Sequence, residues 1–491
     1  MRRADRRAFR LAYLAWIFGI FAYFLPAATW NPVSRFNLTR AIVERGTIRV
    51  DPYVTSTGDR AKVGDHWYSD KAPGMGVLAV PAYAIMRGVH ALRGMRVDYE
   101  AGGSEQRPAV RFVPNLAFQQ AFYVCSLSTS GVAGTAIALL LFELFRRRTS
   151  TRVAFLASSM IVIGSPLLPY STTLYGHVPA AAFLLGAVEC LDGRGRLPQV
   201  SLPSRRRLQL AGLCFALAVT CEYLTVFPAA LIAVWFLVRV EPAERLRSLL
   251  ALSLGAAGPL ALAALYNTAA FGAPWRTGYS FETNQAFAAG HAQGLLGLGW
   301  PRAEALYGIT FGPLRGLFHL WPVLAIAAMF AGLHAYRRKD WAIAAGLAAL
   351  ALLFLLNSGY YMWWGGAAVA PRHVLPGVPY LAAGFVLALQ GSRRWIAFAV
   401  IALFVFGAAT SVGFTGMGVE AREHGDLFRD HLLQKLADGK IRTFAGASNL
   451  GQKLGLPATP ISLVPLLVWI GCGYVYLLHR LRQASAARRF S

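Results

Sequence analysis

Charged residues are scarce in this chain. Only 14% of its 491 residues are Asp, Glu, Lys or Arg, whereas 56% are hydrophobic. A soluble protein of this length carries about 25% charged residues. The deficit excludes a disordered chain, a coiled coil and an ordinary cytosolic enzyme. No segment alternates as the strands of an outer-membrane barrel do. The composition therefore predicts an all-α polytopic membrane protein, because a helix satisfies its own backbone hydrogen bonds in lipid.

Sequence motifs for common cofactors are also missing. There is no G-x-x-x-x-G-K-[ST] loop and no G-x-G-x-x-G unit after a strand, which argues against a bound nucleotide. No D-x-D pair occurs, which disfavours a metal-chelated nucleotide-sugar donor. The five cysteines form no C-x-x-C pair, and their apolar surroundings predict buried small side chains. The sequence thus predicts no cofactor, although four neighbouring carboxylates in one loop leave a divalent cation open.

Acidic residues are outnumbered by basic ones. The chain has 48 Lys and Arg against 23 Asp and Glu, a formal net charge of +25. The basic residues gather in short runs between apolar segments, which indicates orientation in a membrane and not binding of nucleic acid. Apolar stretches long enough to cross a bilayer begin near residues 11, 118, 153, 176, 208, 223, 247, 316, 341, 374, 394 and 461.

These basic runs fix the predicted orientation. They fall at residues 2–10, 146–152, 194–207, 239–247, 337–339, 393–394 and 480–489. All of them lie inside if the N- and C-termini are cytoplasmic in the inner (plasma) membrane of a bacterium. The first apolar run has the charge layout of a signal peptide but lacks a nearby A-x-A-like site, so we interpret it as a retained transmembrane helix.

Four longer segments then lie outside, at residues 30–117, 267–315, 358–373 and 413–460. We expect a single transmembrane domain over residues 1–491, with about 12–13 spanning helices and an external cap of loops and juxtamembrane helices. A crossing at residues 73–94 would invert every later loop, so this apolar segment is predicted to lie in the membrane interface or to re-enter from it. A hairpin with residues 109–126 as an extra crossing would keep the same parity.

Residues 31–74 are the richest stretch for chemistry. The pattern SRFNLTRAIVERG predicts an amphipathic surface helix that ends at Gly46. The stretch combines carboxylates, cations and aromatic side chains, namely Asp51, Asp59, Asp65, Asp70, Arg35, Lys71, His66, Trp67 and Tyr68. An external carboxylate could take a proton from an acceptor hydroxyl, and a cation could neutralise a departing phosphate. The competing interpretation, favoured for Asp65, is a set of solvated loop charges and turn formers.

The order of residues here resembles the first external loop of GT-C superfamily glycosyltransferases, in particular the lipid A aminoarabinose transferase and protein O-mannosyltransferase families. The resemblance rests on Ser34-Arg35-Phe36, a helix, a glycine, Asp51-Pro52 and Asp70-Lys71-Ala72-Pro73. It covers this loop and the overall topology. The chain departs from the families at residues 31–34, where they carry an acidic pair and this sequence reads Asn-Pro-Val-Ser.

The resemblance implies an activity and partners. It implies inverting transfer of a hexosyl or pentosyl group from a polyprenyl-phosphate donor to a lipid, glycan or protein acceptor at the external face. Lys71 corresponds to the lysine that contacts the lipid phosphate in these families. Because the acidic pair is missing, the catalytic base is predicted to be Asp51 or Asp59, with Asp70 next.

Further polar residues fall on the same predicted side. The candidate substrate-binding residues are Arg35, His66, Tyr68, Lys71, His177, Glu222, Trp364 and Arg372. His177 could contact a sugar, but a capping or packing role fits equally. Glu222 lies at membrane depth, where a carboxylate is costly unless it is functional or pairs with an Arg. Trp364 fits an interface belt at least as well as sugar stacking, whereas Arg372 after a Gly-rich turn is a phosphate candidate.

Two rival functions remain. A transporter or flippase for a lipid-linked sugar would place polar groups at mid-membrane depth, often within inverted repeats. No such repeat is evident, and the charges lie at predicted helix ends. A catalytically inactive accessory membrane protein of the same fold is the other alternative, because the family's acidic pair is absent.

Overall fold

The computed structural model describes residues 3–102, 111–192, 202–391, 393–439, 441 and 447–486. Parts of three basic runs, residue 2 and residues 194–201 and 487–489, lie outside the described residues. The described chain is mainly helical, and a helix covers each of the twelve predicted crossings. These helices are Arg3–Ala22, Leu116–Ser126 continuing through a π-turn into Val132–Arg146, Thr151–Ile163, His177–Leu191, Arg205–Cys221, Val226–Arg239, Pro242–Phe271, Pro322–Arg338, Trp341–Gly359, Arg372–Leu381 continuing into Ala382–Gly391, Arg394–Met417 and Val464–Ala486.

Six of the described helices are long and apolar enough to cross a membrane. They are Leu116–Arg146, Pro242–Phe271, Trp341–Gly359, Arg372–Gly391, Arg394–Met417 and Pro460–Ala484. The 30-residue helix Pro242–Phe271 leaves Leu254, Leu262 and Leu265 exposed. Exposed leucines on a long apolar helix face lipid, because water would penalise that surface. The prediction of an all-α polytopic membrane fold is confirmed.

Close backbone contacts hold the spanning helices together. Helices Arg205–Cys221 and Pro242–Phe271 touch at Gly212 and Gly255. A Cβ atom on either glycine would lie 1.9 Å from a carbonyl oxygen of the facing helix. Small residues at such crossings let two backbones approach closely, which strengthens packing in the absence of a hydrophobic driving force.

The segment 73–94 forms two consecutive helices, Gly74–Leu78 and Val80–Leu92. Tyr83 and His90 are buried, whereas Ile85 and Leu92 are 68% and 92% exposed. One face of this helix thus packs on the protein while the other presents apolar side chains outward. This two-sided pattern fits a helix that lies along the membrane interface, which stays a prediction.

The remaining elements form the cap, defined here as residues 30–117, 267–315 and 413–460. Besides the two helices of segment 73–94, the cap contains the helices Trp30–Arg45, Asp51–Ser56, Gly278–Phe281, Gln285–His291, Ala303–Thr310, Leu427–Leu433, Gln434–Ala437 and Leu450–Lys453. Four short helices flank spanning helices, namely Leu167–Tyr170, Tyr223–Thr225, Leu317–Leu320 and Pro460–Leu463. The described residues also form three antiparallel strand pairs. Two lie within the cap, Ala61–Val63 with His66–Tyr68 and Tyr99–Gly102 with Arg111–Pro114, and the third joins Phe24–Leu25, at the end of the first helix, to Ser448–Asn449.

Candidate functional site

The first cap helix, Trp30–Arg45, carries a buried arginine. Gly46 ends this helix in the left-handed region at φ 63°, as C-terminal glycines commonly do. Nη2 of Arg35 lies 2.5 Å from Oε1 of Glu222, which follows helix Arg205–Cys221. Nδ1 of His177 lies 3.6 Å from the same oxygen. Nε and Nη1 of Arg35 are buried and have no hydrogen-bond partner among the described residues.

Lys71 joins two carboxylates beside this arginine. Its Nζ lies 2.9 Å from Oδ2 of Asp59 and also contacts Asp70. Oγ of Ser34 donates to Oδ1 of Asp70 at 3.0 Å. All of these side chains are buried. The chain turns sharply after them at Gly74, where a Cβ atom would lie 2.5 Å from the carbonyl oxygen of Thr220.

Burial and neighbouring charge set the protonation of this acid cluster. Burial raises the pKa of Asp59 above its ordinary value, although Lys71 opposes the shift. Burial would also raise the pKa of Asp70, but the Lys71 charge, the neighbouring Glu282 carboxyl group and hydrogen bonds from Lys71 and Ser34 lower it. Burial, with the Asp70 charge added, raises the pKa of Glu282 to about 10. Three carboxyl groups around one ammonium therefore have three different proton affinities.

Residues 360–373 build the next wall. A turn at Gly365 and Gly366, with φ of 75° and 69°, precedes Arg372, whose guanidinium lies 5.4 Å from the ring centre of Tyr175. Nε of Arg372 is buried and lacks a hydrogen-bond partner in the part of the chain that the structure describes. Tyr360 shares a 2.9 Å hydrogen bond with His291.

An aromatic shelf, defined as Tyr279, His291, Tyr360 and Tyr361, lies beside Lys71. The rings of Tyr279 and His291 stack at 4.5 Å, and Nζ of Lys71 lies 5.9 Å from the Tyr279 ring centre. Burial, with a further effect of Lys71, lowers the pKa of His291 to about 4. This imidazole is therefore neutral at pH 7 and serves as a hydrogen-bonding ring.

Residues 413–460 form a further wall of the site and contribute Glu420, Arg422, His431 and Lys435. Fully buried Arg315 fixes this wall, because it donates at 2.8–2.9 Å to the carbonyl oxygens of Trp364, Gly366 and Arg422. Burial raises the pKa of Glu420 to about 7. One arginine thus ties two loops together through their backbones.

These walls enclose a cavity of about 910 Å³, within the volume range of small-molecule sites. One part of the lining is charged and aromatic, and another is apolar with Trp30, Phe112, Val113 and Met362. Such a cavity can hold an anionic group on the Arg and Lys side chains, a sugar-sized ring on the shelf, and an apolar chain beside them.

Comparison with solved structures decides the fold. ArnT from Cupriavidus metallidurans in the apo state superposes with a TM-score of 0.52 at 12% identity, covering 96% of this chain and 74% of ArnT. The same protein bound to undecaprenyl phosphate gives a TM-score of 0.52 at 12% identity and covers 99% and 80%. This chain has the GT-C fold.

The solved structure of a second protein is less similar to this chain. The oligosaccharyltransferase AglB from Archaeoglobus fulgidus, in complex with an inhibitory peptide and a dolichol-phosphate, has a TM-score of 0.46 at 12% identity, covering 89% of this chain and 58% of that one. No protein-family model and no curated protein matches the sequence. The likeness to ArnT thus shows the architecture of this chain and leaves its chemistry to the site.

The structure brings most of the predicted site residues together. Six of them line the cavity, namely Arg35, Asp59, Lys71, His177, Glu222 and Arg372. Asp70 is fully buried behind Lys71. The structural pairing considered for Glu222 is observed, because its partner is Arg35.

Four other predicted residues do not line the cavity. Asp51 accepts a 2.6 Å hydrogen bond from the backbone N–H of Trp67 and lies 3.2 Å from His66. Tyr68 packs against the ring of Phe271 at 5.8 Å. Trp364 donates from Nε1 to Glu423 at 2.9 Å. The Asp51 contacts stay within the first cap segment, whereas those of Tyr68 and Trp364 join different segments of the chain. Of the three carboxylates predicted as the base, Asp59 lines the cavity and Asp70 lies next to it, and the choice among them stays a prediction.

Sequence reasoning gave no role to several lining residues, which include Tyr279, His291, Glu420, Arg422, His431 and Lys435. The one sequence feature that could have pointed to them is their position in predicted external segments. Which of these residues come together in the cavity depends on how distant segments of the chain fold against one another. Among the described residues, no three His, Cys, Asp or Glu side chains are grouped to hold a metal ion.

Proposed function

We propose that this GT-C protein transfers a hexosyl or pentosyl group from a polyprenyl-phosphate donor to an acceptor, with inversion, at the external face of the bacterial inner membrane. The observation that carries the proposal is a pair of guanidiniums, buried Arg35 and half-buried Arg372, whose buried Nε atoms lack a partner among the described residues and which lie beside Lys71 and Asp59 in one cavity. Buried donors without acceptors are costly, so an anionic ligand is their natural partner. ArnT, which shares the fold, has been crystallised with undecaprenyl phosphate.

The two arginines and Lys71 would hold the donor phosphate. A guanidinium matches phosphate oxygens through parallel N–H donors and keeps its charge when buried. Lys71 is already shared between Asp59 and Asp70, and Arg35 is paired with Glu222, so Arg372 supplies the positive charge that has no direct ion-pair partner among the described residues, while Arg35 adds donor N–H groups. They would stabilise the negative charge that develops on the phosphate as the sugar leaves.

Asp59 is the preferred base. It lines the cavity, and its raised pKa makes it a stronger proton acceptor than an ordinary aspartate. The acceptor oxygen would form a bond to the anomeric carbon while its proton passes to Asp59. The bond from that carbon to the phosphate oxygen breaks, and the phosphate keeps the electron pair. Attack from the face opposite the phosphate gives inversion.

The aromatic shelf would hold the sugar. Its rings lie next to Lys71, so a sugar attached to a phosphate at Lys71 would reach them. Aromatic faces pack on the C–H face of a sugar ring, and the Tyr hydroxyls can hydrogen-bond to it. The acceptor would then approach from the wall formed by residues 413–460.

Reconstitution tests the proposal. The purified protein in vesicles, supplied with polyprenyl-phosphate sugars and cell-envelope lipid extract, should release polyprenyl phosphate. Arg372→Gln should lower the apparent donor affinity at least about tenfold, since one buried charged hydrogen bond is worth roughly 1.5–3 kcal/mol. Arg276→Gln, at an exposed loop position outside the cavity lining, is the matched control.

Other outcomes would identify the rival functions. Movement of labelled lipid-linked sugar across the vesicle without cleavage would make the protein a transporter. Donor binding without cleavage or movement, with every sugar and acceptor fraction offered, would favour an inactive accessory protein.

A further inference from the structure

The cap segment 278–283 lies directly on the Asp70–Lys71 pair. A Cβ atom on Gly278 would be 2.5 Å from Cα of Asp70. Glu282 forms a β-bridge with Ala61, and the N–H of Thr283 donates to the carbonyl oxygen of Arg60 at 3.3 Å. These backbone contacts hold the Glu282 side chain against the acid cluster.

The surroundings of Glu282 are unusual for a carboxylate. Both of its side-chain oxygens are buried, and neither accepts a hydrogen bond from the described residues. Its side chain lies beside Asp70, which already accepts from Ser34 and Lys71. A buried carboxylate without donors is strongly disfavoured, and two adjoining carboxyl groups cannot both ionise cheaply. The proton therefore resides on Glu282, the carboxyl group that receives no hydrogen bond.

We propose that Glu282 is a positioning residue that stays protonated and donates a hydrogen bond to the Asp70 carboxylate. Its role, which rests on the proposed function, is to hold Asp70 and through it Lys71, without adding a negative charge where the donor phosphate binds. Asp59, Asp70, Lys71 and Arg372 then sum to zero with both aspartates ionised. An ionised Glu282 would make the cluster negative and repel phosphate.

Infrared spectroscopy tests the proton directly. The full-length protein in lipid should show a protonated carboxylic-acid band at about pH 8.5, above the pKa of Glu420 near 7 and below that of Glu282 near 10. The band should be present in the wild-type minus Glu282→Gln difference spectrum. Exposed Glu304 in helix Ala303–Thr310 is the control, and Glu304→Gln should give no such difference. Absence of the band from the Glu282 difference would overturn the proposal.

Turnover provides a second readout. Glu282→Ala should lower kcat at least about tenfold, and Glu282→Gln should restore most of the loss, because an amide N–H can also donate to Asp70 without charge. A Gln variant as inactive as the Ala variant would show that a carboxylate is needed and would overturn the proposal. Loss of the infrared band on adding MnCl₂ or ZnCl₂, with a gain in activity, would also overturn it by making the pair a cation site.

The two readouts separate this inference from the proposed function. If the infrared band is present and no glycosyl transfer is found, the proton on Glu282 stands and the transferase assignment fails. If glycosyl transfer is found with no band attributable to Glu282, the transferase assignment stands and the inference about Glu282 fails.

Discussion

Arg35 and Glu222, separated by 187 positions in the chain, form a buried ion pair at 2.5 Å. The pair joins the first cap helix to the end of a spanning helix, at the edge of the cavity. Breaking a buried pair by removing one partner leaves the other charge uncompensated, which costs about 3–5 kcal/mol. The pair therefore matters for stability as well as for the position of Arg35.

Glu222→Ala should consequently lower stability more than the double variant Arg35→Ala/Glu222→Ala. The single change leaves a buried arginine without a counter-charge, whereas the double change removes both charges. Thermal unfolding of the purified protein measures this, with Glu304→Gln as an exposed control. A single variant as stable as the wild type would contradict the buried pair.

Lys71→Ala should weaken donor binding and lower turnover by at least about tenfold, because it leaves Asp59 and Asp70 without their shared cation. The affinity for undecaprenyl phosphate and the rate of its release are the measurements. Lys62 lies in the same loop but is exposed, and Lys62→Ala is the control. Unchanged kinetics in Lys71→Ala would remove this lysine from the site.

The pH dependence of turnover should carry the signature of Asp59. A base acts only when deprotonated, so kcat/KM should fall as pH drops through the raised pKa of Asp59. This acid limb should lie above the ordinary aspartate value of about 3.9. Asp59→Asn should abolish the turnover that requires deprotonated Asp59. Asp65→Asn, at an exposed turn position, should leave the pH profile unchanged. A limb retained in Asp59→Asn would assign it to another group.

Arg315→Lys should destabilise the protein by about 2–4 kcal/mol, because an ammonium cannot reach all of the carbonyl oxygens that the guanidinium binds. Loosening of the wall formed by residues 413–460 should make that segment more sensitive to protease. Thermal unfolding and limited proteolysis are the two measurements. Equal cleavage in the wild type and the variant would refute the role of Arg315 as a tie between loops.

Gly278→Ala should lower turnover about tenfold or more, since the added methyl group would meet the Asp70 backbone at 2.5 Å and displace the acid cluster. Gly88→Ala is the matched control in helix Val80–Leu92, where a Cβ atom meets nothing within 4 Å. That change should be neutral or slightly stabilising. The comparison needs kcat and unfolding temperature for both variants.

Several features of the fold could be read from local sequence. The spanning helices lie where apolar length predicted them, because membrane insertion depends on the hydrophobicity of each segment. The helix that carries Arg35 ends at Gly46 as predicted, since a left-handed C-terminal residue favours glycine. The GT-C resemblance of the first loop agrees with the fold found by structural comparison.

The site itself was only partly predictable. Asp51 and Asp59 look equivalent in the sequence, since each belongs to a turn signal upstream of Lys71. The structure places Asp59 against Lys71 in the cavity, whereas Asp51 accepts from the backbone of Trp67. Glu282 could be given no role from sequence spacing, because its neighbour Asp70 comes from a different cap segment.

Local sequence makes this chain a helical membrane protein, sets where its helices lie and places the three candidate bases in one loop. Those properties follow from hydrophobic length, charge and turn residues, which act over a few neighbouring positions. Three features depend on how distant segments fold together. They are which carboxylate meets Lys71, which arginines have N–H groups without a partner among the described residues, and what Glu222 pairs with. These relationships join residues far apart in the chain, and packing of the cap on the spanning helices sets their distances and burial.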